Sequence, residues 1–301
     1  MTATSPQQNT LYISCSDKGG VGKSEVCLLT ITALDRAGID FDYGEIDEIR
    51  RLSMVLDEKK TPLVSLKTSP KIDDQMRSQE DYIEFFNPVA ALFSSPVSVL
   101  DLGGGVSTKF IEWAKISDLP EVLEDLDVRP CFMAIATPDA LSFMAAVSTL
   151  RTTNLLFRDR ADYVLVLNDI LGAGFEIIND SPSMKKELDN LKQTMGVRII
   201  QIPHLKANKI ITYARAYHYS AYEAWGMGTQ VLNALKSGDD ISTDNTLNAF
   251  IQGIGAGEKS RPELRLFLSQ QLKTIGQWIT QSQRAIADGL MLSRHQEGRD
   301  G

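Results

Sequence analysis

The chain reads as an α/β protein: a doubly wound, mostly parallel sheet with a helical C-terminal extension. Three observations predict this. Continuous apolar runs of strand length alternate with segments of helical period, as in βαβ units. Several of the runs end in polar residues, the pattern of parallel strands whose ligands gather at their carboxyl ends. Finally, Lys18-Gly19-Gly20-Val21-Gly22-Lys23-Ser24 stands between one such run and one such helical segment.

In chain order, Leu11-Tyr12-Ile13-Ser14-Cys15 is a short β-prone run. Beyond the glycines, Val26, Leu29, Thr30, Ala33 and Leu34 fall at helical spacing, and Gly38 is placed as a C-cap. Strand, glycine loop and helix together make a phosphate site. The glycines let backbone N–H groups converge on phosphate oxygens, and the helix adds the positive end of its dipole. Lys23 is placed to reach β- and γ-phosphates, and the Ser24 hydroxyl to ligate Mg2+.

A further strand is expected over 39–46, then a loosely patterned region over 50–95 that contains Pro62, Pro70 and Pro88. Val97-Ser98-Val99-Leu100 is a buried-strand run that ends in Asp101, before Gly103-Gly104-Gly105. A Mg2+-bound triphosphate needs a hard anionic ligand at the end of a second buried strand, and Asp101 fits. The glycine turn after it can respond to a γ-phosphate. Residues 131–136, 163–167 and 197–202 are the remaining strand runs, followed by Thr137-Pro138-Asp139, Asn168 and Pro203. A linker is expected over 237–245. Leu268, Leu272, Ile275, Ile279 and Ile286 then form one apolar stripe at helical spacing. The expected organisation is a disordered leader over 1–10, a nucleotide-binding domain over 11–236 and a helical extension over 237–301.

At 301 residues, with 43% hydrophobic and 23% charged residues, the chain has the composition of a globular protein able to bury a full core. No apolar stretch approaches the ~18–20 residues that span a bilayer. The polar N-terminus lacks the regions of a secretory signal. Cys15, Cys27 and Cys131 have no C-x-x-C spacing and read as small buried hydrophobes of a reducing cytoplasm. A net charge of −8 argues against nucleic-acid affinity over the whole surface. Two local basic groups exist, Arg151, Arg158 and Arg160, and His204, Lys206, Lys209 and Arg215; both read first as solvated surface.

The usual phosphate loop is G-x-x-x-x-G-K-[ST]. Here the first glycine is replaced by Asp17, and a second lysine, Lys18, stands at the front. That pattern resembles the deviant Walker A motif of the ParA/MinD family of P-loop ATPases, over about residues 10–235. The resemblance implies a homodimer that closes around ATP and Mg2+, with Lys18 serving the partner's nucleotide, and hydrolysis that parts the subunits. It implies backbone contacts to ATP from Gly19, Gly20, Val21 and Gly22, with Lys23 and Ser24 at the phosphates and Ser24 and Asp101 at the metal. Asp47, at the end of Phe41-Asp42-Tyr43-Gly44-Glu45-Ile46-Asp47, matches the family acid that positions the attacking water. Asn168 matches the residue at the adenine edge, and Pro203 and His204 the other base-contacting segment.

One departure is Glu25, where the family has a second hydroxyl residue near the α-phosphate. The resemblance further implies slow basal turnover raised by a protein partner, in partitioning or positioning DNA, protein cargo or a membrane machine. Two alternatives stand beside this: an ATP-binding scaffold of a secretion, conjugation or export system with little hydrolysis, and a small-molecule kinase or ligase of the same P-loop branch. The C-terminal stripe has few accompanying cations, so it is expected to pack on protein rather than on a membrane.

Overall fold

The computed structural model describes residues 8–56, 60–68, 76–170, 172–217, 219–239 and 244–292. Seven strands form one sheet: β1 (Asn9–Cys15), β2 (Asp42–Ile46), β3 (Val64–Leu66), β4 (Val97–Leu102), β5 (Val128–Ala136), β6 (Asp162–Asn168) and β7 (Arg198–Ile202). Their order is β3-β2-β4-β1-β5-β6-β7, and every pairing is parallel. The central strands are apolar on both faces because helices in the crossovers cover both. In β5, Phe132 to Ala136 are all fully buried.

The helices joining these strands are α1 (Lys23–Arg36), α2 (Arg51–Leu56), α3 (Gln79–Phe86), α4 (Ser107–Ile116), α5 (Leu119–Asp125), α6 (Ala140–Phe157), α7 (Glu176–Asp180) and α8 (Pro182–Met195). The expected leader is cut short, since Asn9 and Thr10 already belong to β1, where Thr10 N–H donates to the Pro96 carbonyl. Residues 1–7 of that leader lie outside the described residues.

The loosely patterned region over 50–95 contains α2, β3 and α3, followed by a 3-10 turn at Asn87–Ser94. A local signal existed for α3: Ser78 and Asp81 form a reciprocal capping box. No local signal existed for α2. Its N-terminus is held by Glu45 of β2, a fully buried carboxylate that accepts from Leu52 N–H at 3.1 Å, from Ser53 N–H at 3.3 Å and from the Ser53 hydroxyl. Burial raises the Glu45 pKa, against the lowering effect of these donors.

The chain divides into two compact units. One comprises the chain up to Pro203 together with that from Gln283 on; the other is His204–Ser282. The boundary expected at 236/237 therefore lies inside the second unit. Within that unit are α9 (Lys209–Ala216), α10 (Ala221–Ser237), α11 (Asn245–Gly253) and the first part of α12 (Arg261–Leu290). Of the expected linker, Ser237 ends α10, Asn245 begins α11 and residues 240–243 lie outside the described residues. Leu268, Leu272, Ile275, Ile279 and Ile286 are all buried in protein, as their stripe implied. Among the described residues, no helix is long and apolar enough to cross a membrane.

Replacing Glu45 with alanine leaves the first N–H groups of α2 buried without their acceptor. We expect a loss of about 1–3 kcal/mol, read by urea denaturation. An unchanged midpoint would show that α2 does not depend on this carboxylate.

Candidate functional site

Chain topology brings the site together at the carboxyl end of β1. Its neighbours are β4 on one side, with Ser14 opposite Asp101, and β5 on the other. The loop leaving β1 turns into α1 through Gly22, which has φ +90°. A Cβ there would also lie 2.4 Å from the Asn168 amide nitrogen. Glycine is needed twice over, for the left-handed backbone and for the close approach. The contact is functional for the loop: Asn168, buried at the end of β6, donates Nδ2 to the Val21 carbonyl at 3.0 Å.

Lys23, the first residue of α1, is only 7% exposed. Its ammonium donates to two carbonyls of its own loop, Ser16 at 2.9 Å and Lys18 at 3.1 Å. Burial lowers its pKa, while the charges of Asp101 and Asp47 act to raise it. The lysine thus draws the loop into a crescent. Gly19 and Gly20 stand exposed on that loop, and Val21 is buried beneath it.

Asp101 on β4 is buried. Its Oδ1 accepts from the Ser14 hydroxyl at 2.7 Å, and that hydroxyl in turn accepts from Leu102 N–H at 3.3 Å. Oδ2 is buried and makes no hydrogen bond of normal geometry among the described residues. Burial pushes the carboxyl pKa up, with the Ser24 and Ser14 hydroxyls opposing. A buried carboxylate oxygen left unmatched, together with a serine hydroxyl acting on the same carboxylate, is a donor set that suits Mg2+. This hard cation takes few protein oxygens and completes its shell with phosphate and water. Among the described residues, no group of three or more His, Cys, Asp or Glu side chains is placed to hold a metal on protein ligands alone.

Asp47 follows β2 and joins this cluster. Its Oδ1 accepts from Glu48 N–H at 2.7 Å and occupies the space a side chain on Gly103 would need, 2.7 Å from the Cβ position. Glu45, near the end of β2, is buried and serves α2 instead.

Several site contacts have no counterpart in the sequence reading. Asp17, in place of the usual first glycine, accepts from Thr108 N–H at 3.1 Å and from the Thr108 hydroxyl at 2.6 Å, capping α4. Ser16 N–H donates to the Ser107 hydroxyl at 2.9 Å. The front of the loop is therefore tied to the helix that follows the Gly103–Gly105 turn. Lys18 points away from the loop and pairs with Asp139 at 2.8 and 3.0 Å. Asp139 is also the N-cap of α6, accepting from Ser142 N–H, and it accepts from the Thr137 hydroxyl at 2.6 Å. Burial acts to raise its pKa, but these three donors hold it down to about 2.

Beside Asn168, a cavity of about 460 Å³ opens at the carboxyl ends of β6 and β7, with Asp169, Phe175, Gln201 and Pro203 in its wall. Pro203 thus closes the first unit at this cavity, whereas His204 opens the second unit. Glu25 lies in the first turn of α1 with one carboxylate oxygen buried.

These features define a P-loop NTPase fold: a lysine-bearing glycine loop between β1 and a helix, on an all-parallel sheet with an acidic residue on the adjacent strand. No protein-family model matches the chain, and a comparison with curated proteins finds no match. Solved structures similar to it include the MinD cell division protein of Aquifex aeolicus, at 14% identity and a TM-score of 0.38, covering 84% of this chain and 98% of that one. A MinC:MinD cell division protein complex from the same organism matches at 14% identity and 0.38, covering 83% and 93%. A GTPase in apo form from Pyrococcus abyssi matches at 14% and 0.39, covering 65% and 90%. The fold assignment rests on this chain's own strand order and loop geometry.

Gly22→Ala should weaken nucleotide binding and lower the melting temperature. Adding Asn168→Ala should recover part of both losses, because the clash partner is gone while the backbone strain stays. Additive losses in the double variant, measured by calorimetry and thermal melts, would show that the two residues do not couple.

Proposed function

We propose that the chain is a Mg2+-dependent ATPase of the cytoplasm that dimerises around ATP and acts as a timed switch, in the manner its ParA/MinD resemblance implies. The observation that carries this reading is the division of labour between two lysines. Lys23 is turned into its own loop and buried. Lys18, five residues earlier, directs its ammonium away from that loop to the half-exposed rim at Asp139, where its side chain is 38% exposed. A cation turned away from its own loop supports a role at the phosphates of a second copy.

In this reading, Lys23 and the amides from Gly19 to Ser24 hold the β- and γ-phosphates. Ser24 and Asp101 hold Mg2+, which neutralises phosphate charge when bound. Asp47 orients the attacking water, with Gly103 leaving room for its carboxylate. Catalysis is positioning and charge stabilisation of the transferring phosphoryl group, with Lys18 of each subunit contributing across the interface. The cavity beside Asn168 and Pro203 takes the adenine base. The Asp17–Thr108 and Ser16–Ser107 contacts make the loop and the α4 turn move as one, so a change at the γ-phosphate alters the surface that a stimulating protein partner reads.

The direct test is phosphate release from ATP and Mg2+ with no acceptor added. Release supports the switch, and acceptor-dependent transfer alone supports the kinase alternative. Tight ATP binding with no release supports the scaffold.

Lys18→Ala should retain ATP binding, because Lys23 and the loop amides remain. It should lose ATP-driven dimerisation and most of the hydrolysis, by several orders of magnitude if the charge acts in a dry interface. Sedimentation with a slowly hydrolysed analogue decides: a variant that dimerises like wild type contradicts the trans role. Asp101→Ala should reduce Mg2+-dependent kcat far more than nucleotide affinity, and an equal kcat removes Asp101 from the metal site.

A further inference from the structure

The second unit carries chemistry that the nucleotide site does not use. His204–Ser282 contains eight lysines and arginines against six aspartates and glutamates, in a chain whose net charge is −8. The contrast is sharpest over 204–222, which holds Lys206, Lys209, Arg215 and four tyrosines and has no Asp or Glu. Lys206, Lys209 and Arg215 are exposed. Arg215 and Lys206 share one neighbourhood, since the Arg215 guanidinium at the end of α9 donates at 3.4 Å to the carbonyl of Leu205, next to Lys206, and Lys209 begins the same helix. The first acid beyond the stretch, Glu223, is turned back on its own helix, accepting from Ser220 N–H at 2.6 Å.

Three of the tyrosines in the same segment form a ring cluster. Tyr213 and Tyr217 have ring centroids 4.6 Å apart, Tyr213 and Tyr219 lie 6.0 Å apart, and Tyr217 and Tyr219 lie 6.5 Å apart at 22°. The inner ring, Tyr213, is buried and braced edge-on by Phe250 at 5.3 Å. The outer ring, Tyr217, is 60% exposed. A cluster of aromatic rings with one ring open, in a segment that carries three exposed cations and no Asp or Glu of its own, matches a flat π-face attached to a phosphate. Bases joined by phosphodiesters have that chemistry, and an unpaired strand presents both parts together.

We propose that the α9 end of the second unit, with Tyr217 as its stacking ring and Lys206, Lys209 and Arg215 as its phosphate contacts, is a docking surface for single-stranded nucleic acid. The −8 net charge disfavours such binding over the surface as a whole. Binding through phosphate contacts should weaken as salt is raised, because each contact releases counterions.

Fluorescence anisotropy of a labelled oligothymidylate about 20 nucleotides long, titrated with the full chain between about 50 and 200 mM salt, tests this. Three phosphate contacts should give a slope of log affinity against log salt near −2, at about 0.7 per contact for a single strand. Lys206→Gln with Lys209→Gln should flatten that slope by more than half. Tyr217→Ala should weaken binding by about fivefold to a hundredfold at fixed salt, leave the slope unchanged, and be rescued by Tyr217→Phe. Because Tyr217 is exposed, an unaltered thermal melt will show that the alanine variant is folded. Absence of binding at the lowest salt overturns the proposal. So does duplex DNA or heparin binding as tightly as the single strand with no effect of Tyr217→Ala, which would mark the face as a plain cation surface for another acidic partner.

Discussion

A lysine ammonium buried at the end of the central strand is the constraint on which the site depends. Taking such a charge out of water is costly unless it is hydrogen-bonded and faced by opposite charge. Lys23 meets both conditions, with the Ser16 and Lys18 carbonyls close at hand and the fields of Asp101 and Asp47 around it. The curl of the loop, the carboxylate on β4 and the acid after β2 therefore answer one need. They also leave Gly19 and Gly20 exposed on the loop.

The departures from the usual phosphate-loop pattern acquire a physical sense in this frame. Asp17 could not serve as the flexible first glycine, but as a cap on α4 it fastens the loop to the turn that follows Asp101. Lys18 adds a second cation to a site that already buries one. It points outward to Asp139, which is fixed at the start of α6 by Thr137 and Ser142. The loop, the Gly103–Gly105 turn and α6 are thereby joined through side chains rather than through the sheet alone.

Contiguous signals made much of this legible in the sequence. The glycine loop with its lysines, the buried run ending in Asp101 and the apolar strands β5, β6 and β7 are each local patterns, and the strands fall within a few residues of where the pattern put them. What escaped is held by contacts distant in sequence: Ser14 to Asp101 across 87 residues, Asp17 to Thr108 across 91 and Lys18 to Asp139 across 121. Glu45 shows the same limit. By pattern it is one of two acids at the end of a strand, and only its burial over α2 separates it from Asp47. The division at Pro203 was hidden for another reason: residues 203–208 have no linker composition, whereas 237–245 do. Asn168 was legible as a special polar residue at a strand end, but its amide hydrogen bond goes to Val21 of the loop, a contact no spacing rule reports.

The most direct measurement of the central claim is calorimetric titration of the wild-type chain with a slowly hydrolysed ATP analogue, with Mg2+ present and then removed by chelation. The account predicts one nucleotide bound per chain, with affinity falling when Mg2+ is withdrawn, since the buried Asp101 carboxylate and the Ser24 hydroxyl then lose the cation that links them to the phosphates. No binding, or binding indifferent to Mg2+, would contradict it.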